Sequence, residues 1–220
     1  GTITVSITEA IANDASDTHA ITGGTGTADE IVLTATGAGI DTTDMSTFTR
    51  FEKLTVANNA STGTIVINTL TVADGSTLTV NSSAITTASN TFTLDASAET
   101  DGGLVVTGSA GIDTVSMTQS DQADALSLAG ANDMIHVAGG QLTSADSVNA
   151  GAGTDTLSYS SDETIELADF TNVLNLETIT AASDVHISGR LGALADAAGI
   201  TTVTFMDTGT GDNLIIDAEF

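Results

Sequence analysis

Short segments of alternating apolar and polar residues recur along the whole chain. They include "EIVLTA" (30–35), "GTIVINTLTVA" (63–73), "STLTVNS" (76–82), "NTFTLDA" (90–96), "DTVSMT" (113–118), "DTLSYS" (155–160), "LNLETIT" (174–180) and "NLIID" (213–217). A period of two marks a strand with one buried face, and each segment is bounded by Gly, Asp, Asn or Ser. Only "RLGALADAAG" (190–199) reads as a short helix. In the second half the apolar anchors fall at Val115, Leu126, Ile135, Val148, Leu157, Ile165, Leu176 and Val185. Two strands and two tight turns at that spacing take roughly 20 residues, the coil length of a β-roll or small parallel β-helix. An antiparallel sandwich has strands at similar spacing, so a second periodic feature has to decide.

That feature is a turn. "NAGAGTDTLSYS" (149–160) places Gly151 and Gly153 ahead of Asp155 and a strand. "GSAGIDTVSM" places Gly111 ahead of Asp113, and "LAGANDMIHV" places Gly130 and Asn132 beside Asp133. The three aspartates are one coil apart, so a solenoid stacks them along one edge with coils about 4.8 Å apart. Asp29 in "GGTGTADEIVL" and Asp212 in "GTGDNLII" read as outlying copies. The opposite turns carry Asp121, Asp124, Asp146, Asp162 and Glu163, a second acidic edge.

The charge balance narrows the partners. The chain has 29 acidic residues and three basic ones (Arg50, Lys53 and Arg190), a formal net charge of -26. Nucleic acid requires a basic face that the chain lacks, and no apolar run is long enough to cross a membrane as a helix. Divalent cations are the natural partner. With no cysteine there are no disulfides or thiolate sites, and with six Phe, one Tyr and no Trp the core must be aliphatic. The chain lacks an initial Met and a visible signal peptide, which reads as a piece of a larger protein or a processed form.

"GAGTDTLSY" at Gly151, Gly153, Asp155 and Leu157, "SAGIDTVSM" at Gly111, Asp113 and Val115, and "AGANDMIHV" at Asn132, Asp133 and Ile135 resemble the nonapeptide G-G-x-G-x-D-x-U-x. That is the repeat of RTX proteins, the hemolysin-type calcium-binding β-roll family. "FTRFEKLTV" (48–56) and "FTNVLNLETITAASDVHIS" (170–188) are similar to lines of bacterial S-layer and large repetitive surface proteins. The resemblance implies secretion, calcium-triggered folding outside the cell, and self-assembly into a lattice or matrix, with cell-surface polysaccharide as a further partner.

Calcium takes six to eight oxygen ligands from carboxylates and backbone carbonyls. The expected metal residues are therefore Asp113, Asp133, Asp155, Gly111, Gly151, Gly153, Asn132, Asp29 and Asp212. Enzymatic activity is not expected. The three basic residues form no evident cluster, no nucleophile elbow is present, and His19, His136 and His186 lack metal-ligand spacing. The expectation is thus an all-β, elongated β-solenoid with calcium-binding turns. Residues 104–220 form the RTX-like region, and residues 1–103 form a β-rich module that either continues the solenoid or stands apart. Its function is structural, in a secreted S-layer or extracellular matrix. A module of a large RTX adhesin is the alternative, ahead of a polysaccharide-acting β-helix enzyme or an ice-binding protein.

Overall fold

The computed structural model describes residues 1–8, 21–34, 39–40, 43–44, 47–57, 59–68, 71–206 and 211–217. The chain winds as a parallel β-solenoid of about eight coils. One eight-stranded sheet (sheet I) stacks strands Thr4–Thr8, Glu30–Thr34, Lys53–Val56, Thr77–Asn81, Gly103–Thr107, Ala125–Ser127, Ser147–Asn149 and Val173–Leu174. The second (sheet II) stacks Thr43–Asp44, Thr64–Asn68, Thr91–Ala98, Ile112–Ser116, Met134–Val137, Thr156–Tyr159, Thr178–Ala181 and Thr202–Phe205. A third face (sheet III) is built late in the chain from Glu163–Ile165, Ile187–Leu191 and Asn213–Ile216. All of these pairings are parallel. Both long sheets run through residue 103: Thr77–Asn81 pairs with Gly103–Thr107, and Thr91–Ala98 pairs with Ile112–Ser116.

Register explains why alternation was the dominant sequence signal. Slipping one residue would turn every aliphatic side chain outward. In sheet I the inward row runs Ile31, Leu54, Val80, Val106, Leu126, Val148 and Val173. In sheet II it runs Ile65, Leu94, Val115, Ile135, Leu157 and Ile179. These residues are at most 3% exposed. The anchors Val115, Ile135 and Leu157 therefore belong to one sheet and Leu126 and Val148 to the other, two strands per coil. The few aromatics fill corners: Phe51, Phe92, Tyr159 and Phe170 are all buried.

The outward side of sheet II is just as regular. One row reads Thr64, Thr93, Thr114, Met134, Thr156, Thr178 and Thr202. The neighbouring row reads Val66, Asp95, Ser116, His136, Ser158, Thr180 and Thr204. Thr-x-Thr and Thr-x-Ser units that lack a strict spacing in sequence are thus brought into line, because coil length varies while strand register does not. The coil from Thr64 to Thr93 is nine residues longer than the one from Thr114 to Met134.

Two expected elements are placed differently. The strand expected over 174–180 is broken at Asn175, whose φ is 56°. Leu174 faces out at 53% exposure while Leu176 is buried. The chain turns a corner there, which one alternating run cannot show. The helix expected over 190–199 is shortened to α1 (Ala193–Ala198), because Arg190 and Leu191 finish a strand paired with Ile215 and Ile216. Gly199 ends α1 in the left-handed conformation, φ 105°, which glycine adopts without steric cost.

Stability in such a stack is a sum of coil–coil interfaces. Leu157→Ala is expected to cost about 2–5 kcal/mol, the usual range for a buried leucine. Amide exchange should accelerate most in the flanking strands Met134–Val137 and Thr178–Ala181 and little in Thr4–Thr8. Uniform acceleration along the chain would contradict nearest-neighbour stability.

Candidate functional site

The aspartates of the glycine turns do stack. Asp113, Asp133 and Asp155 lie on successive coils at the edge where the chain enters sheet II, and all are buried. The carboxylates of Asp133, Asp155 and Glu177 each face the backbone of the coil before, whereas that of Asp113 is held by Ser109 of its own turn. The Asp113 N–H donates to Oδ1 of Asp133 at 2.8 Å, the Asp133 N–H to Oδ1 of Asp155 at 2.7 Å, and the Asp155 N–H to Oε2 of Glu177 at 2.8 Å. Where the chain turns a corner the parallel ladder is interrupted, and a buried N–H left without a partner is costly. A carboxylate from the next coil fills that gap, with a charge-assisted bond of about 1.5–3 kcal/mol.

The same device recurs on the other edges. At the entry to sheet I, the Ile3 N–H donates to Asp29, the Asp29 N–H to Glu52, the Leu104 N–H to Asp124 and the Asp124 N–H to Asp146. At sheet III, the Gly140 N–H donates to Glu163 and the Ile187 N–H to Asp212. Asp29 and Asp212 therefore sit on different edges from Asp113, Asp133 and Asp155, and the five do not converge. Asp121 and Asp162 are exposed. His19 lies outside the described residues.

Glu52 and Glu177 were missed as ladder members. The signal that finds them is an acid two residues ahead of an inward aliphatic. Asp113-Thr-Val115, Asp133-Met-Ile135, Asp155-Thr-Leu157, Glu177-Thr-Ile179, Glu52-Lys-Leu54 and Asp124-Ala-Leu126 all obey it. Strand geometry is the reason, since alternation turns both positions toward the same side.

The glycines serve the stacking of turns more than their curvature. Gly151 has φ 105°, but Gly153 and Gly111 do not have positive φ. A Cβ on Gly153 would lie 1.8 Å from the Ala131 carbonyl oxygen, and one on Gly111 would lie 1.8 Å from that of Asn90. Successive turns press together so closely that no side chain fits between them. Asn132 joins the same stack by accepting the Thr154 N–H at 2.9 Å.

The electrostatics of the edge are unbalanced. Asp113 is fully partnered, since Ser109 donates to it from both backbone N–H and hydroxyl. Oδ2 of Asp133 and Oδ2 of Asp155 are buried and accept no hydrogen bond. Burial pushes Asp133 up to about 8, against the Asp113 N–H and with the Asp113 and Asp155 charges adding to the rise. Burial likewise raises Asp155, and raises Asp113 to about 6. Such an edge needs protons or a cation. Among the described residues no three acid or histidine side chains gather at one point. An ion here would therefore draw single carboxylate oxygens from successive coils and complete its shell with carbonyls or water. The two unpartnered oxygens fit that role, and an all-oxygen donor set suits a hard cation.

On the sheet I edge, Asp124 is pushed to about 6 by burial, against bonds from Thr118 and Leu104. In the folded state these groups hold protons more tightly than in the unfolded chain, where a carboxyl ionises near pH 4. Unfolding then releases protons, and stability is lost as pH rises. In a chelator, the melting temperature is expected to fall continuously from about pH 4 to about pH 8, the window between the unfolded value and that of Asp133. A melting temperature that rises over this window would show that the ladder is ionised without help.

Comparison of the chain with protein-family models, with curated proteins and with solved structures finds no match, so the motif and the geometry alone carry its functional reading.

Proposed function

We propose that the chain is a structural protein of the bacterial cell surface, a stretch of S-layer or extracellular matrix, that folds and assembles with calcium outside the cell. The observation carrying this reading is the pair of unpartnered buried oxygens, Oδ2 of Asp133 and Oδ2 of Asp155. They lie in the turn stack that resembles the RTX nonapeptide. The net charge of -26 supports it, because divalent counter-ions would relieve the self-repulsion of the folded chain.

In this reading each ion joins two coils. It neutralises carboxylates already fixed by the N–H groups of the preceding coil, so the protein contributes preorganised oxygens and the ion contributes charge. Exposed apolar side chains supply a route to assembly. The described last coil exposes Ile215 at 50% and Ile216 at 53%, on an edge strand of sheet III.

An ion present at about 1,000 times its Kd stabilises a fold by about 4 kcal/mol per site, or roughly 8–16 °C in a chain of this size. EGTA is expected to lower the melting temperature by at least that much, and equimolar magnesium should not restore it, because magnesium demands tighter octahedral geometry. Asp155→Asn separates the ion from the hydrogen bond, since its amide oxygen can still accept the Asp133 N–H while the charge is gone. Calcium should stabilise this variant several degrees less than the native chain. Electron micrographs should show fewer ordered filaments or sheets, with Asp196→Ala, an exposed acid of α1, as the control. Equal calcium responses in native chain and Asp155→Asn would reject the turn stack as the calcium site.

A further inference from the structure

The strands of sheet II carry the carboxylate ladder at their entry. At their exit they form a recess of about 200 Å³, where Thr91–Ala98, Ile112–Ser116, Met134–Val137 and Thr156–Tyr159 leave the sheet. Its polar lining is Ser97, Ser116, Gln119, His136 and Ser160. Ser97 and Ser160 spend their hydroxyls on Asp95 and on the Val137 carbonyl. The side chains of Ser116, Gln119 and His136 make no hydrogen bond within the described residues. Ser116 and His136 are direct neighbours across two strands.

We infer that this recess, with the hydroxyl rows beside it, binds an uncharged polysaccharide lying along the solenoid axis. Three observations select that ligand class. A serine hydroxyl, a glutamine amide and a neutral imidazole each offer both a donor and an acceptor, so the complementary ligand presents both together, as sugar hydroxyls do. No acid lines the recess, and between Thr93 and Thr204 the two outward rows of sheet II carry one charged residue, Asp95, whose carboxylate is engaged by Ser97, on a chain with net charge -26. A polyanion is repelled by such a chain, and a polycation would find far stronger sites elsewhere on it. The volume falls below the roughly 300–1,000 Å³ of pockets that engulf a whole small molecule, which suits one unit of a chain passing across an open site. Beyond the recess, the threonine and serine hydroxyls of the two rows also make no hydrogen bond among the described residues, and they repeat at the strand spacing of about 4.8 Å.

A flat ice-like lattice is the competing occupant of a threonine array. Met134, 39% exposed, and half-buried His136 interrupt the two rows on one coil and spoil the flatness that such a lattice needs.

The recess lies at the opposite end of the strands from Asp133 and Asp155, so this inference and the calcium reading fail separately. The test is affinity electrophoresis of the folded chain through gels containing dextran, galactomannan or xyloglucan, run with and without calcium, with alginate in the calcium-free gels as the anionic comparison. At least one neutral polymer should retard the native chain, and alginate should not. His136→Ala and Gln119→Ala should each weaken that retardation at least fivefold, about the worth of one hydrogen bond. Thr79→Ala, on the outer face of sheet I, should leave it unchanged. Circular dichroism of each variant shows that it is folded. Absence of retardation by all three neutral polymers would overturn the inference, as would equal retardation of both recess variants. Thermal hysteresis of ice growth that is lost in Thr114→Ala would reassign the face to ice and also overturn it.

Discussion

A carboxylate that reaches back one coil and accepts a corner N–H is the contact on which the rest of this solenoid depends. Sheets stacked by parallel pairing satisfy their own backbone along the strands, but each corner interrupts the ladder. The bond from the Asp133 N–H to Asp155, and its counterpart from the Asp124 N–H to Asp146, closes that gap on two different edges. Because the acid sits two residues before an inward aliphatic, the same bond also fixes strand register. It determines which coil lies over which, and which side chains face the core.

That solution has an electrostatic consequence. A backbone N–H satisfies one oxygen of a carboxylate and leaves the other to its surroundings. Asp113 and Asp124 meet that need with Ser109 and Thr118. Asp133 and Asp155 have no such neighbour, and their second oxygens are buried without partners. A structural device thus leaves one buried, unpartnered carboxylate oxygen on each of two adjacent coils. In the proposed calcium reading, folding and cation binding are linked through these same side chains, without a dedicated ligand cage.

The strands have two chemically different ends. At their entry to sheet II they are acidic and tightly packed, and glycines allow the turns to touch. At their exit they are neutral and open, with free hydroxyl, amide and imidazole groups. One coil therefore presents an acidic edge and a face dominated by uncharged polar groups, and stacking repeats both along the axis.

Much of this was legible in the sequence. Alternation at Val115, Leu126, Ile135 and Val148 specified strands, and the spacing of Asp113, Asp133 and Asp155 specified a coil and a stacked edge, because parallel stacking keeps equivalent residues in register. Tertiary structure decided what chain distance conceals. Asp29 and Asp212 share the turn chemistry but stand on other edges, since variable coil lengths move a turn from one corner to another. Leu174 and Leu176 read as one strand and are parted by a corner. The outward threonines look irregular in sequence, yet strand pairing sets them in a single row, because backbone hydrogen bonds fix register while the loops absorb differences in length. Whether a buried carboxylate oxygen finds a partner is likewise settled only when the coils close on one another, because the donor that would meet it belongs to a residue many positions away.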